Sequence, residues 1–485
     1  LSCMNIYKIK PLLLVVAFVA SLTSCQKVLD VNTDPNSLTT ATPELVLPAS
    51  QMMLATTVGN QWNYIGSMWA QYWTGGYGVS SSQLETYNMI NADNNLAWTT
   101  AYARSLKDLS YLIKSDQPRF SGAAKVMSAY LYQMLTDLHG DIPFNDALKG
   151  EATDGCIVAP KFDSEATVYA ALIPLIDEGV ADLEAAGASV KEMGAADLFY
   201  GGNVAKWKKL ANTLKLKVLV RSGQYTAAKS LVDSGAEFIG SGDDFKMSYF
   251  ETGKNTNPIY ARFIARTDVG MYYVAAWSSV QKLIELSDPR INKIYISGTA
   301  GDSGVYSGDI NVNTTAYPAG GNNTRFARPN TTYVFSATTP VFLLSAWESK
   351  FLQAEVLIRT GGDASTLFEE AVQASFNYYG AGSASAYVSS LDFGSASVDG
   401  QLNILAVQKW ISMNGLQMAE GWLETARFDR PGNRIFTEGI FTSPETNSLG
   451  EGNFPSSFVY PTGETNYNPN VPKDREVTDK RSWDN

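Results

Sequence analysis

The chain has 485 residues, of which 45% are hydrophobic and 12% aromatic, and its formal net charge is −11 at pH 7. An acidic chain without a basic tract binds nucleic acid poorly, so nucleic acid is excluded as a partner. A single histidine rules out His-rich metal sites and any mechanism that needs two imidazoles. The hydrophobic fraction is large enough to supply an extended packed core.

The N-terminal residues have the pattern of a secretory signal peptide. Lys8 and Lys10 precede an apolar run from Pro11 to about Leu22, which is shorter than the roughly 20 residues that span a bilayer. The run ends in Leu22-Thr23-Ser24-Cys25, which looks like a bacterial lipobox. We therefore predict removal of residues 1–24 and lipidation of Cys25 as the mature N-terminus. The alternative is a plain signal peptide followed by a chance cysteine.

A lipidated Cys25 would tether the protein permanently, because two or more acyl chains hold firmly at a membrane where one holds weakly. Gln26, rather than Asp, argues against retention in the inner membrane, so we expect the outer membrane and the cell surface. Cys156 is the only other cysteine of the predicted mature chain, which excludes an intramolecular disulfide between unmodified cysteines.

Apolar residues recur at three- and four-residue spacing through several segments, which predicts helices. The clearest helix runs from Gly122 to Leu138 and stops at Gly140, as helix ends should. A partner helix over 98–113 precedes it across a Pro-containing turn, and the two resemble a tetratricopeptide unit. Further helices are predicted over Val168–Leu183, Val204–Arg221, Tyr225–Ser234, Ser345–Arg359, Thr366–Tyr379 and Leu402–Arg427.

Two long stretches, residues 237–273 and 297–339, are rich in Gly, Asn, Thr and Pro, and the tail 441–485 is also irregular. Loops of this length are usually functional or disordered. The sequence thus predicts a mostly α protein with little β, in which residues 25–485 form one domain. Its helical-pair scaffold is expected mainly over 40–235 and 342–428, with loop excursions between.

A family resemblance extends over nearly all of the predicted mature chain. The stretches that carry it are Leu29–Asn36, Thr42–Pro48, Leu135–Phe144, Asp197–Gly202, Lys206–Trp207, Leu210–Leu216, Asp288–Arg290, Gln408–Trp410 and Glu420–Glu424. Together they resemble SusD/RagB-like proteins, particularly the second SusD-like subgroup.

This resemblance implies a right-handed superhelix of four tetratricopeptide-like helical pairs with a more variable, loop-rich part. It also implies a protein that sits as a lid on a TonB-dependent, SusC-like outer-membrane transporter and binds glycans or, in some branches, peptides. The family offers no universal ligand motif that can be carried over residue by residue.

Candidate ligand residues come from the aromatic side chains near flexible polar segments. Aromatic planes pack on the apolar C–H faces of sugar rings, while sugar hydroxyls need polar partners. Trp62 and Trp69, seven residues apart on a predicted helix, are expected in the core. The predicted ligand contacts are Trp73, Tyr77, Tyr306, Tyr317, Arg325 and Tyr333.

Signals for catalysis or cofactors are weak. The sequence has no G-x-S-x-G, P-loop or G-x-G-x-x-G motif. His139 falls in the last turn of a predicted helix, where a positive group is favoured, and is interpreted as a cap or packing residue. The runs 30–34 and 309–313 begin like calcium loops but lack Gly at the sixth place and Glu at the twelfth. Turns explain them as well, so no cofactor is predicted, although calcium stays possible.

The leading hypothesis is a non-catalytic, cell-surface lipoprotein that captures an oligosaccharide and delivers it to a SusC-like transporter. Peptide capture on the same architecture would need a groove that offers backbone hydrogen bonds. A glycoside-cleaving enzyme would need a close Asp/Glu pair in a deep cleft. A helical scaffold that binds only protein is the fourth hypothesis.

Overall fold

Helices dominate the computed structural model, which describes residues 41–76, 83–151, 155–250, 255–263, 273–299, 301, 304, 325–472 and 475–484. The α-helices are α1 (Pro43–Thr57), α2 (Asn63–Trp69), α3 (Asn95–Thr99), α4 (Lys107–Ile113), α5 (Pro118–His139), α6 (Glu165–Leu183), α7 (Val204–Arg221), α8 (Tyr225–Asp233), α9 (Pro258–Phe263), α10 (Trp277–Glu285), α11 (Ile291–Ile294), α12 (Ala346–Arg359), α13 (Ser365–Tyr379), α14 (Ser385–Ser389), α15 (Val398–Met413), α16 (Met418–Phe428) and α17 (Thr462–Tyr467).

Among the described residues the strands are short and pair only in twos. They are β1 (Trp73–Gly75), β2 (Ile142–Pro143), β3 (Phe162–Asp163), β4 (Phe245–Met247), β5 (Tyr273–Ala275), β6 (Tyr295–Ile296), β7 (Arg328–Pro329) and β8 (Val341–Leu344). The antiparallel pairs are β1–β5, β2–β3, β4–β8 and β6–β7. None of the helices in the described ranges is both long enough and apolar enough to cross a membrane.

Consecutive helices pack side by side in two runs, one from α4 to α8 and one that contains α12, α13, α15 and α16. The runs meet where α12 packs on α7 and α8. The predicted mostly α fold of paired helices with little β is thereby confirmed. Residues Pro43–Asn485 form one compact unit. The predicted boundaries at residues 24 and 25 lie outside the described residues and stay a prediction.

Helix α5 lies at the centre of the first run. Pro118 stands in the first turn, where a backbone N–H has no intrahelical acceptor, so the N–H that proline lacks is not missed. Gly140 ends the helix at φ +78°. A Cβ atom at Gly122 would lie 2.5 Å from the main-chain oxygen of Gly179 in α6. The two helices can therefore approach this closely only because glycine stands at the contact.

His139, at the end of α5, is buried among aromatic rings of the C-terminal segment. Its imidazole stacks on Tyr460 and meets Phe458 and Trp98 edge-on. Burial and the nearby Arg475 guanidinium lower the pKa of His139 to about 3. The packing interpretation agrees with this environment, but the positive charge expected at this helix end is absent because the imidazole is neutral.

Buried ion pairs join α7, α12 and α16. The Lys217 ammonium lies 3.0 Å from Glu348 and 2.8 Å from Glu420, with all three side chains almost fully buried. Arg427 holds both carboxylate oxygens of Glu355 at 2.6 Å. Burial raises the Glu355 pKa, but the guanidinium groups of Arg427 and Arg359 outweigh that effect and hold it at about 2. Such pairs fix helix positions, since removal of one partner leaves a buried charge uncompensated.

The single helix predicted over Leu402–Arg427 is wrong. Helix α15 ends at Met413 and α16 begins at Met418. Gly415, between them, has φ +78°, and a Cβ there would lie 2.5 Å from the Val334 side chain. The chain therefore turns at the Asn414-Gly415 pair, and the two halves pack against each other as separate helices.

Candidate functional site

Four of the predicted functional residues, Cys25, Tyr77, Tyr306 and Tyr317, lie outside the described residues, as do the two calcium-like runs 30–34 and 309–313. Their roles stay predictions. Trp62 and Trp69 are buried in the core, as predicted.

Trp73 lies in β1, and its side chain is only 2% exposed. Its ring meets Phe335 edge-on with the centroids 5.5 Å apart. Contact between the Trp73 indole and a ligand would therefore require the ring to be uncovered. Ligand contact by Trp73 stays a prediction, and the burial of its ring does not favour that contact.

Arg325 is exposed, and its guanidinium lies 6.0 Å from the ring centroid of Phe326. Tyr333 is half-buried, with its ring 6.1 Å from Tyr379, and the Lys293 ammonium lies 5.4 Å from its ring centroid. Arg325 lies just before β7, and Tyr333 lies between β7 and β8.

A cleft of about 620 Å³ opens between α12, α13 and the segment around β4. Strand β4 pairs with β8, and β8 leads directly into Ser345, whose hydroxyl caps α12 by accepting the Glu348 N–H at 3.2 Å. Because α12 begins at Ala346, Trp347 lies in its first turn. We call this cleft the tryptophan cleft; its walls are Trp347, Tyr378, Gln373, Asn377, Glu369 and Lys350.

The aromatic wall of the tryptophan cleft is rigid. The rings of Trp347 and Tyr378 lie 5.9 Å apart, and Phe342 packs behind both of them. The indole N–H of Trp347 is buried without a hydrogen-bond partner among the described residues. Trp347 is only 2% exposed, so the apolar area that this wall offers to a ligand comes chiefly from the half-buried Tyr378 ring, which Trp347 and Phe342 hold in place.

Polar groups face this wall from α13. Asn377 is exposed, and its side-chain oxygen accepts a hydrogen bond from Gln373 at 2.8 Å. That bond leaves the Asn377 NH₂ group without a partner in the described part of the chain. Amide donors and carboxylate acceptors beside aromatic rings match a sugar ring, which has apolar C–H faces and hydroxyls at its edge.

Charges of both signs surround the tryptophan cleft. Lys350 pairs with Glu370 at 2.7 Å, and Lys246 pairs with Asp244 at 3.2 Å. Asp244 also accepts the N–H of Ala346 at 2.9 Å. These two carboxylates are thus already engaged as acceptors, an arrangement suited to positioning rather than to proton donation.

Glu85, which lies beside β1, is a buried carboxyl group with a raised pKa. Burial raises its pKa to about 7, although hydrogen bonds from Gly75 N–H and the Thr74 hydroxyl lower it. Glu85 does not line the tryptophan cleft, so we interpret it as a buried structural group. Within the described ranges, no three His, Cys, Asp or Glu residues lie close enough to hold a metal ion.

The residues of the tryptophan cleft were missed at the sequence level, where both of its helices were assigned to the scaffold. One signal was available. Gln373 and Asn377 stand four residues apart on α13, and the run Asn377-Tyr378-Tyr379 precedes Gly380 at the helix end. In the structure Tyr378 is half-buried and lines the cleft, whereas Tyr379 is buried, so the amide pair beside Tyr378 is the part of this pattern that marks the site.

One protein-family model matches most of the chain. The SusD-like_2 model, described as "Starch-binding associating with outer membrane", matches residues 35–461. A search among curated proteins gives no match.

Solved structures are similar over nearly the whole chain. A chitin-binding protein is 23% identical, with a TM-score of 0.71 over 90% of this chain and 99% of that one. A SusD/RagB family protein from Bacteroides thetaiotaomicron is 21% identical, with a TM-score of 0.72 over 92% and 99%. A SusD homologue from Bacteroides uniformis is 19% identical, with a TM-score of 0.73 over 91% and 99%. At these identities the similarity shows the fold.

Proposed function

The chain belongs to the SusD-like family, described as starch-binding and associated with the outer membrane, and from that premise we propose that it captures an oligosaccharide nutrient without changing it chemically. The chitin-binding protein of the same fold supports a saccharide as the ligand class. The proposal includes attachment to the outer membrane through a lipid on Cys25.

The tryptophan cleft is the observation that carries the ligand assignment. It combines the half-buried Tyr378 ring, which packs on the buried Trp347, with Glu369 and with the Asn377 NH₂ group, which has no partner among the described residues. At about 620 Å³ it lies within the range of small-molecule sites, roughly 300–1,000 Å³. We assign a segment of one or two sugar rings to this space.

The absence of chemistry is proposed from the carboxylates of the cleft. Hydrolysis of a glycosidic bond needs one carboxyl group that donates a proton and a second one on the opposite side of the bond. Asp244 and Glu370 are held in ion pairs with lysines, which leaves Glu369 as a single lining carboxylate outside the ion pairs of the described residues, and Glu85, with its raised pKa, lies elsewhere. Capture followed by release suits this arrangement better than cleavage does.

Delivery to a SusC-like TonB-dependent transporter is part of the same proposal and follows from family membership alone. The test is co-purification of the lipidated protein with such a transporter from detergent-solubilised outer membranes. A Cys25→Ser variant should be lost from the membrane fraction and should no longer co-purify.

The ligand test is a panel of oligosaccharides and peptides probed with the purified protein, followed by calorimetry and chromatography of the recovered ligand. Maltohexaose and chitohexaose are the first probes, because the family description and the chitin-binding relative point to them. We expect saturable binding of one saccharide class and recovery of the ligand intact.

Other results would replace the proposal. Binding of peptides alone would assign peptide capture instead. Shortened saccharides in the recovered fraction would assign glycoside cleavage. A protein partner with no small ligand would favour a purely scaffolding role.

A further inference from the structure

A second cleft, of about 550 Å³, is lined by four arginines: Arg221, Arg359, Arg427 and Arg430. Tyr225 and Trp483 form aromatic parts of its wall, and Ser222, Gln224 and Ser482 add polar groups. No Asp or Glu is among the lining residues in the described part of the chain. We call this site the arginine cleft. None of its lining residues is shared with the tryptophan cleft.

Three of the arginines come from helix ends. Arg221 is the last residue of α7, Arg359 is the last residue of α12, and Arg427 lies in the last turn of α16. Cations are favoured there because a helix C-terminus carries a negative partial charge of roughly half a unit. The charged side chains that line the cleft are thus all cationic, while the carboxylate partner of each guanidinium lies outside the lining.

Arg221 and Arg427 are fixed from behind by buried carboxylates. Arg221 reaches Asp137 at 3.1 Å and Glu424 at 2.7 Å, and Arg427 holds Glu355 with two hydrogen bonds of 2.6 Å. These carboxylates do not line the cleft. The two guanidiniums therefore form a rigid wall whose countercharges lie on the far side.

Arg359 and Arg430 have hydrogen-bond donors to spare. Arg359 uses only its Nε, on Glu355 at 2.7 Å, and Arg430 uses only one terminal nitrogen, on Asp399 at 3.2 Å. The remaining N–H groups of both guanidiniums have no partner among the residues that the structure describes. A guanidinium with free N–H groups is suited to paired hydrogen bonds with a carboxylate.

The start of α8 adds further donors at the same place. Gln224 precedes this nine-residue helix without a side-chain capping bond, and Tyr225 is its first residue. Both residues line the arginine cleft. The first N–H groups of a helix have no intrahelical partner and favour an anion nearby.

We propose that the arginine cleft binds the carboxylate of an acidic sugar, a hexuronate residue. The carboxylate would accept hydrogen bonds from Arg359 and Arg430, and the sugar hydroxyls would lie near Ser222, Gln224 and Ser482. The rings of Tyr225 and Trp483 already carry the Arg359 and Arg221 guanidiniums, each 4.7 Å from the ring centroid, so they hold these arginines in the wall of the cleft. This site is separate from the tryptophan cleft and does not depend on the function proposed for it.

Calorimetry with sodium D-glucuronate tests the site, with D-glucose as the neutral sugar and sodium acetate as the carboxylate without a ring. Glucuronate should bind more tightly than either control, and less tightly as salt is added. Arg359→Gln and Arg430→Gln should each weaken binding roughly tenfold, the effect of losing a charge-assisted hydrogen bond. Arg434→Gln is the matched control, because Arg434 pairs with Glu438 at the surface and does not line this cleft.

Both cleft variants should fold, since Glu355 keeps Arg427 as a partner and Asp399 is largely exposed; thermal unfolding checks this. If Arg359→Gln fails to fold, the glucuronate affinity of Arg430→Gln alone tests the proposal. Equal binding of glucuronate and glucose, glucuronate binding no tighter than acetate, or unchanged affinity in the folded variants would overturn the proposal. An Asn377→Ala variant in the tryptophan cleft should leave glucuronate binding unchanged, which separates the two sites.

Discussion

The hydroxyl of Tyr378 donates a 2.8 Å hydrogen bond to the main-chain carbonyl of Tyr333. Tyr378 forms one wall of the tryptophan cleft, and Tyr333 belongs to the stretch 297–339, where ligand contacts were predicted from the sequence. The bond thus fixes an aromatic wall of the cleft onto a residue far away along the chain. It gives the predicted residue Tyr333 a structural link to the candidate site through its backbone rather than through its ring.

Tyr378→Phe should lower the free energy of unfolding by about 1 kcal/mol, because it removes this hydrogen bond and leaves the Tyr333 carbonyl without it. The ring stays, so saccharide affinity should fall only a few-fold. Chemical unfolding and calorimetry measure the two effects. Tyr467→Phe is the control, since Tyr467 is 84% exposed. A large loss of affinity with unchanged stability would mean that the hydroxyl contacts the ligand instead.

The raised pKa of Glu85 predicts that the stability of the folded protein depends on pH. Its pKa is raised from 4.5 in the unfolded chain to about 7 in the folded protein, mainly by burial. The stabilising contribution of the protonated carboxyl is complete below pH 4.5 and is lost as the pH rises through 7. Glu85→Gln should therefore stabilise the protein by about 3 kcal/mol at pH 8 and have little effect at pH 5.

Unfolding in denaturant at both pH values measures this difference. The exposed Glu451→Gln has the same change in charge and should show no such contrast between the two pH values. If Glu85→Gln and Glu451→Gln behave alike, the buried environment assigned to Glu85 is incorrect.

The only histidine of the chain offers a direct test of the core around the C-terminal segment. Because burial and Arg475 lower the pKa of His139 to about 3, its imidazole should stay neutral between pH 8 and pH 5. The single histidine signal in an NMR titration of untagged protein should not shift over this range. A midpoint near the ordinary value of about 6.5 would show that the imidazole is open to solvent.

The ion pairs predict that replacing the buried Arg427 lowers the free energy of unfolding far more than replacing the surface residue Arg434 does. Arg427→Met would leave Glu355 and Glu424 without a principal partner in the core and should cost roughly 3–5 kcal/mol of unfolding free energy. Arg434→Met removes a surface pair and should change stability by less than about 1 kcal/mol. Similar losses in the two variants would show that the Arg427 network is not desolvated.

The helices could be predicted because each buries an apolar stripe that is visible in the sequence. The predicted helix Val204–Arg221 has the observed bounds of α7, and the one over Thr366–Tyr379 differs from α13 by one residue. The break at Asn414-Gly415 was missed because apolar residues continue through it, even though the Asn-Gly pair is a turn signal. The close contact with Val334 that requires glycine there cannot be read from local sequence.

The candidate site was much harder to predict. The tryptophan cleft combines residues near 240, near 346 and near 373, and no local pattern shows that these segments meet. Aromatic residues in loops were the natural candidates, and of these Trp73 proved to be buried while Tyr333 lies beside Tyr379. The countercharges of the arginine cleft are likewise spread over four helices, so their pairing needs the tertiary structure.

The most direct test of capture at the tryptophan cleft is the affinity of the purified protein for the saccharide selected by the panel, compared with the double variant Asn377→Ala/Glu369→Ala. Both side chains line the cleft, and neither belongs to the buried ion network. Loss of two ligand hydrogen bonds should weaken binding roughly tenfold or more while the unfolding midpoint stays unchanged. Asn466→Ala, an exposed asparagine in α17, should bind like the wild type. Equal affinity of the wild type and the double variant would contradict capture at this cleft.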